Sequence, residues 1–133
     1  MLPNEREIIA ARDVAAQCAT RLQHARTRIA EDIGRQVTSR LAKLRLAGAR
    51  FAVFVTPLPV REGDDPVWHF EVDGHAARLG PHGWDRVEWC VSTNAGDELR
   101  PLPRVASGGE LSRVLLALMS VLFVAMLGQR VPF

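Results

Sequence analysis

At 133 residues with 47% hydrophobic side chains, the chain can fill one modest core, less whatever a long isolated helix withdraws from it. Two widely separated cysteines, Cys18 in a helical pattern and Cys90 in a strand pattern, exclude a disulfide framework and are expected as reduced core thiols. The net charge of +2 hides an asymmetry: residues 1–50 hold ten basic and five acidic side chains, and the remainder seven and ten. A basic first segment suits DNA phosphates, but with acids interspersed along it a solvated helix face is the favoured reading.

The first segment predicts one long helix from about Asn4 to Ala47. Asn4 and Glu7 have capping-box spacing, and Gly48 suits the C-terminal stop. Ile8, Ala11, Ala15, Cys18, Leu22, Ala25 and Ile29 recur in steps of three and four, a heptad seam. From Ile29 the steps become four, through Ile33, Val37 and Leu41, resembling a stutter. At 1.5 Å per residue such a helix is about 65 Å long, more than the remainder can cover. It is expected to need a partner helix, the alternatives being packing on its own domain or against another copy. Gly34 weakens it by about 1 kcal/mol relative to alanine. The opening Met1 to Glu5 lacks the basic and then apolar pattern of a secretory signal.

After Gly48 the hydrophobic period changes to two. Phe51, Val53 and Val55 alternate with Ala52 and Phe54 up to Pro57 and Pro59, which predicts a strand buried on both faces. A polar loop follows at residues 61–66. Trp68, Phe70 and Val72 then form a strand joined through Asp73-Gly74 to a short strand at residues 75–79. Another turn at residues 80–83 leads to Val87, Trp89 and Val91, completing a small antiparallel sheet. His69, His75, His82 and Cys90 have ligand chemistry, but their spacing matches no tight zinc pattern, so no metal site is expected. Neither Cys90 nor Ser107 has a sequence-readable base beside it, and no catalytic residue is assigned.

Ala106-Ser107-Gly108-Gly109-Glu110-Leu111-Ser112-Arg113 joins a hydroxyl and two glycines to the start of an apolar helix. Ser107 can cap that helix, and Gly108 and Gly109 let backbone N–H groups approach an anion favoured by the helix dipole. The helix is expected from near Gly109 through Leu127. Its stretch from Val114 to Leu127 is uncharged and shorter than the ~20 residues of a membrane span. A helix buried in a larger core is favoured over a membrane anchor, with part of it left unsatisfied in this chain.

The string from Ala106 to Arg113 resembles the signature of ABC-type ATPases, in the form used by SMC-like proteins that combine an ATPase head with a coiled coil. The preceding Ser92-Thr93-Asn94-Ala95-Gly96-Asp97-Glu98-Leu99-Arg100-Pro101-Leu102 is similar to the corresponding segment of the RecN family of bacterial DNA repair ATPases. The resemblance implies an α+β fragment of an ABC/SMC-type α/β ATPase head. Residues 1–48 would be the coiled-coil arm helix, and residues 49–133 a partial head lobe with a small antiparallel sheet and a C-terminal apolar helix. Ser107, Gly108 and Gly109 would contact the γ-phosphate of ATP held by a second head, with Glu110 shaping that interface.

Two parts of such an ATPase are missing from the sequence. There is no glycine-rich loop ending in Gly-Lys-Ser/Thr, the sole lysine being Lys43, and no apolar strand ending in Asp-Glu for Mg. The chain reads as a truncated or internal piece that should not hydrolyse ATP alone. ATP and Mg belong to the full-length family context, and no cofactor is expected for the isolated chain. The implied partners are an antiparallel coiled-coil and N-terminal head segment, a second head in a dimer, and DNA in the full-length context, with no membrane. The implied setting is cytoplasmic and nucleoid-associated, in recombinational repair of double-strand breaks. The alternative is a coiled-coil interaction module without an ATP role.

Overall fold

The computed structural model describes residues 4–105 and 108–129. Its elements are the helix α1 (Glu5–Lys43), the strands β1 (Arg50–Pro57), β2 (His69–Val72), β3 (His75–Arg78), β4 (Asp85–Ser92) and β5 (Arg100–Pro101), and the helix α2 (Gly108–Gln129). Two compact units form. One combines α1 up to Arg28 with Val55–Val87, and the other combines Ile29–Phe54 with the chain from Glu88 onward.

α1 starts on the expected capping box. The Glu7 N–H donates to Asn4 Oδ1 at 2.9 Å, and the Asn4 N–H donates to Glu7 Oε2 at 3.3 Å. Its end differs from the expectation. Arg45 takes the left-handed conformation (φ 66°), and the Leu46 N–H donates to the Leu41 carbonyl at 3.0 Å, a Schellman closure that stops the helix at Lys43. Gly48 serves another purpose: it has φ +89°, and a Cβ there would lie 3.2 Å from the Ala95 Cβ.

In the first unit Ala19, Val72, Ala77 and Trp84 form the core, with Ala16, Phe70 and Leu79 packed against it. The β2–β3 hairpin is antiparallel, pairing Val72 with His75 and His69 with Arg78. Asp73 (φ 51°) and Gly74 (φ 77°) both take positive φ at its turn, as the Asp-Gly pair predicts. Two arginines tie α1 to this unit. Arg12 donates to the carbonyls of Val67 (2.8 Å) and His69 (2.7 Å) and lies 4.3 Å over the Phe70 ring. Arg26 pairs with Asp85 and donates to the His82 carbonyl at 2.7 Å.

The second unit buries Val37, Leu41, Ala49, Phe51, Val91, Val114, Ala117, Leu118 and Val121. Phe51 and Trp89 meet edge to face, with centroids 5.8 Å apart. The Thr38 hydroxyl accepts from the Phe51 N–H (3.0 Å) and lies 3.2 Å from the Phe51 carbonyl, to which it donates. Gly34 is buried against the same strand, where a Cβ would lie 3.4 Å from the Phe51 carbonyl oxygen. The glycine that looked like a weak point in α1 is thus a close contact with β1.

Four expectations change. The strands make two sheets, the hairpin β2–β3 and a three-stranded sheet in the order β1-β4-β5, because β4 takes β1 and β5 as neighbours and leaves the hairpin separate. β1 is not covered on both faces, since Phe54 remains 43% exposed. Cys18 is exposed rather than in a core, because the face of α1 turned inward in the first unit runs through Ala16 and Ala19. The expected seam also divides: Val37 and Leu41 are fully buried in the chain's own core, whereas Ile8 and Leu22 stay 38% exposed.

α2 buries Val114, Ala117, Leu118 and Val121, one stripe at helical spacing. Leu116, Met119, Phe123, Val124, Met126 and other large apolar residues are exposed. With the helix beginning at Gly108, Gly108–Leu127 is long and apolar enough by length and composition to cross a membrane, which the shorter uncharged run did not suggest.

Candidate functional site

The site is built around the start of α2. Gly108 and Gly109 form its first turn and are both exposed; Glu110 is half-buried. The first N–H groups of any helix have no acceptor within it, and here no Cβ shields them at positions 108 and 109. A Cβ built on Gly108 would meet nothing within 4 Å. The Ser112 hydroxyl donates back to the Gly108 carbonyl at 2.9 Å, within the first turn. Ser107, expected as the helix cap and a phosphate contact, lies outside the described residues.

Beside this turn is a cleft of about 210 Å³ lined by residues that include Asp97, Glu98, Arg100, Arg104 and Glu110. Its loop is locally held. The Ser92 hydroxyl donates to the Asn94 carbonyl (2.8 Å), Asn94 Nδ2 donates to Asp97 Oδ2 (3.2 Å), and Gly96 takes φ +84°. β5 then pairs antiparallel with β4, Val91 opposite Arg100 and Cys90 opposite Pro101, and a 3-10 turn at Leu102–Arg104 follows. Ser92 to Arg104 is the segment singled out in the sequence as similar to a known family, and the fold brings it against Glu110. Sequence reasoning did not assign Arg100 or Arg104 to the site; two arginines spaced by four on the approach to the glycines were the available signal.

The cleft sets the two guanidinium groups of Arg100 and Arg104 among the three carboxylates of Asp97, Glu98 and Glu110. Ser92 is buried with its hydroxyl committed to a carbonyl. Burial pushes the Cys90 thiol upward, and the neighbouring Glu88 carboxylate adds to this by its charge and by a contact of 3.8 Å, so the nucleophilic thiolate is disfavoured. No histidine is among the residues that line the cleft. His69 Nε2 is 3.9 Å from Asp64 Oδ2, and His75 Nδ1 is 2.9 Å from the Asp73 carbonyl oxygen. Among the described residues no group of three or more His, Cys, Asp or Glu side chains could hold a metal ion.

The basic character of α1 is partly structural. Arg12 and Arg26, two of the ten basic residues in the first fifty, are engaged with carbonyls, an aromatic face and a carboxylate of the chain itself.

No family model and no solved structure matches the chain. Several curated proteins do. The chain is 39% identical over 99 residues to the DNA repair protein RecN of Streptomyces coelicolor, 74% of this chain and 16% of that protein. It is 39% identical over 106 residues to the DNA repair protein RecN of Mycobacterium tuberculosis, covering 80% and 18% respectively. A shorter stretch of 45 residues is 62% identical to the DNA repair protein RecN of Treponema pallidum, 34% of this chain and 8% of that protein. The chain thus spans less than a fifth of the length of these relatives. It is a RecN-like segment, corresponding to one part of those longer proteins.

Proposed function

We propose that this segment supplies the signature half of an ATP-dependent head pairing in a RecN-like DNA repair protein. Ser107 and the amides of Gly108 and Gly109 receive the γ-phosphate of ATP bound to a second head, and Glu110 shapes that contact. The observation that supports this reading best is the exposure of both glycines at the start of a 22-residue helix. ATP and Mg are held by another segment, because this chain has neither the phosphate loop nor the acidic strand. The names of the relatives support a role in DNA repair; the substrate is a DNA double-strand break, engaged by the longer protein. α1 is the arm that returns to the head and takes an antiparallel helix along its exposed seam.

The test is to mix this chain with the separately expressed N-terminal head of a RecN relative and measure association with and without ATP. ATP should strengthen association, and Ser107→Arg should remove that gain while the partner head still binds nucleotide. Association that ignores ATP would overturn the reading. It would favour an interaction module without an ATP role, which the exposure of Ile8, Ile9, Val14 and Leu22 on α1 supports.

A further inference from the structure

We propose that the end of α1 and the turn into β1 form a contact for the sugar-phosphate backbone of duplex DNA, made by Arg40, Lys43, Arg45 and Arg50. DNA as the ligand rests on the DNA-repair part of the reading above, while the site itself owes nothing to head pairing. Between Asp32 and Glu62 the sequence has no acidic residue, and these four cations fall in the middle of that stretch. The residues interleaved with them turn inward. Leu41 and Ala49 are buried in the core of the second unit, and Leu44 and Leu46 pack against it. All four cations are exposed, so one short run of chain has an apolar inner side and a cationic outer side.

A helix end accounts for only part of this. Arg40 and Lys43 stand in the last turn of α1, where positive charge complements the carbonyl end of the helix. Arg45 and Arg50 lie beyond it. Arg45 is held in the closing turn by its left-handed backbone (φ 66°) and by the Leu46 N–H donating to the Leu41 carbonyl, and Arg50 opens β1. Neither position gains from the helix dipole.

The chain's own acids leave the cluster unneutralised. Among the described residues none of the four has a carboxylate within 4.0 Å, whereas Arg26 has Asp85, Arg35 has Asp32, and Arg61 and Arg78 share Asp64. Two acidic segments come near. Glu31 lines a groove of about 580 Å³ with Arg35, Ser39 and Arg50, and the loop that meets Gly48 through Ala95 carries Asp97 and Glu98. Asp97 accepts from Asn94 Nδ2 in its own loop.

The spread of charge selects the ligand. A single small anion would need the cations to converge, and here they follow one another along an exposed ridge, with the small exposed Ala42 and Ala47 between them. That arrangement suits a row of phosphates read without regard to sequence. This end of α1 is also separate from the seam offered to an antiparallel helix, because Val37 and Leu41 are already buried in the chain's own core.

Fluorescence anisotropy of a labelled duplex of about 20 base pairs, titrated with the full chain over a range of salt concentrations, tests this. Neither ATP nor a second head is present, so the result is independent of head pairing. Binding should weaken as salt rises. Arg45→Asn, which keeps a residue at ease in the left-handed region, combined with Arg50→Gln, should weaken it about tenfold and flatten the log–log salt slope by about two. Arg40→Gln with Lys43→Gln should do the same from the helix side, and circular dichroism checks that each pair leaves the fold intact. Arg6→Gln with Arg28→Gln removes the same charge from the exposed surface of α1 in the first unit and should leave the slope unchanged. Absence of salt-dependent binding overturns the proposal, as does binding indifferent to both cluster pairs. An equal loss in the Arg6 and Arg28 control also overturns it, since affinity would then follow net charge rather than this site.

Discussion

Arg26 on α1 and Asp85 at the start of β4 form an ion pair in which the carboxylate side chain is 1% exposed and the guanidinium 25%. The two residues are far apart in sequence, and one hydrogen bond from the same guanidinium to the His82 carbonyl extends the link to the turn before β4. Because only Arg26 reaches solvent, the pair is asymmetric. Removing the arginine strands a buried charge, while removing the carboxylate leaves a cation that water can still reach.

Arg26→Ala is therefore expected to destabilise the first unit by about 3 kcal/mol, and Asp85→Asn by clearly less. Denaturant titration followed through the buried Trp84, which belongs to that unit, would measure both. Equal losses for the two variants, or a loss for Arg26→Ala below about 1 kcal/mol, would show that the pair is a surface-like interaction after all.

The turn carrying that carbonyl makes a second demand. Gly83 has φ +102°, and a Cβ there would lie 3.1 Å from both Arg26 Nη1 and Leu22 Cδ2. Gly74 also has positive φ (+77°), but a Cβ there meets nothing within 4 Å. Gly74→Ala should cost about 1 kcal/mol from backbone strain alone, and Gly83→Ala at least about 2 kcal/mol because crowding adds to it. Comparable costs at the two positions would remove crowding as the cause.

Much of this fold is legible in the residues themselves. The capping box at Asn4, the Asp73-Gly74 hairpin and the start of α2 at the glycines all follow from local chemistry acting within a few residues. The parts that are not legible depend on tertiary contacts. Arg45 ends α1 in a conformation that glycine usually supplies, so Gly48 attracted the assignment instead. Gly34 looked like a weak helix position because nothing local announces that β1 passes against it. The partners of Arg12 and Arg26 were not legible, because a sequence gives their charge and not what they meet. At the site, Gly108, Gly109 and Glu110 were legible as a helix start. The juxtaposition of Glu110 with Arg100 and Arg104 needed the fold of the intervening loop.

The two thiols should differ in reactivity. Cys18 is exposed, whereas burial and the Glu88 carboxylate push the Cys90 thiol up. At mildly alkaline pH a disulfide reagent should modify Cys18 quickly and Cys90 only on unfolding. The raised value in the folded state also carries a sign. The unfolded chain ionises its thiol first, so Cys90 contributes stability that is intact below the ordinary thiol range and declines as pH rises through and above it. Cys90→Ser should flatten that alkaline decline; an unchanged slope would place its origin elsewhere.

The two faces of α2 make opposite predictions. Val114 is fully buried and Leu118 nearly so, and truncating either to alanine should cost about 2 kcal/mol or more by leaving a cavity in the second unit. Met119 and Phe123 are 67% and 62% exposed, so a glutamate at either position should change the stability of this chain by no more than about 0.5 kcal/mol. The same glutamates should raise solubility and reduce detergent binding, because they interrupt an apolar face with no cover among the described residues. Chemical denaturation and detergent partitioning, run on all four variants, check the division. A large stability loss at Met119 or Phe123 would mean that the face is already covered in solution, contrary to its exposure here.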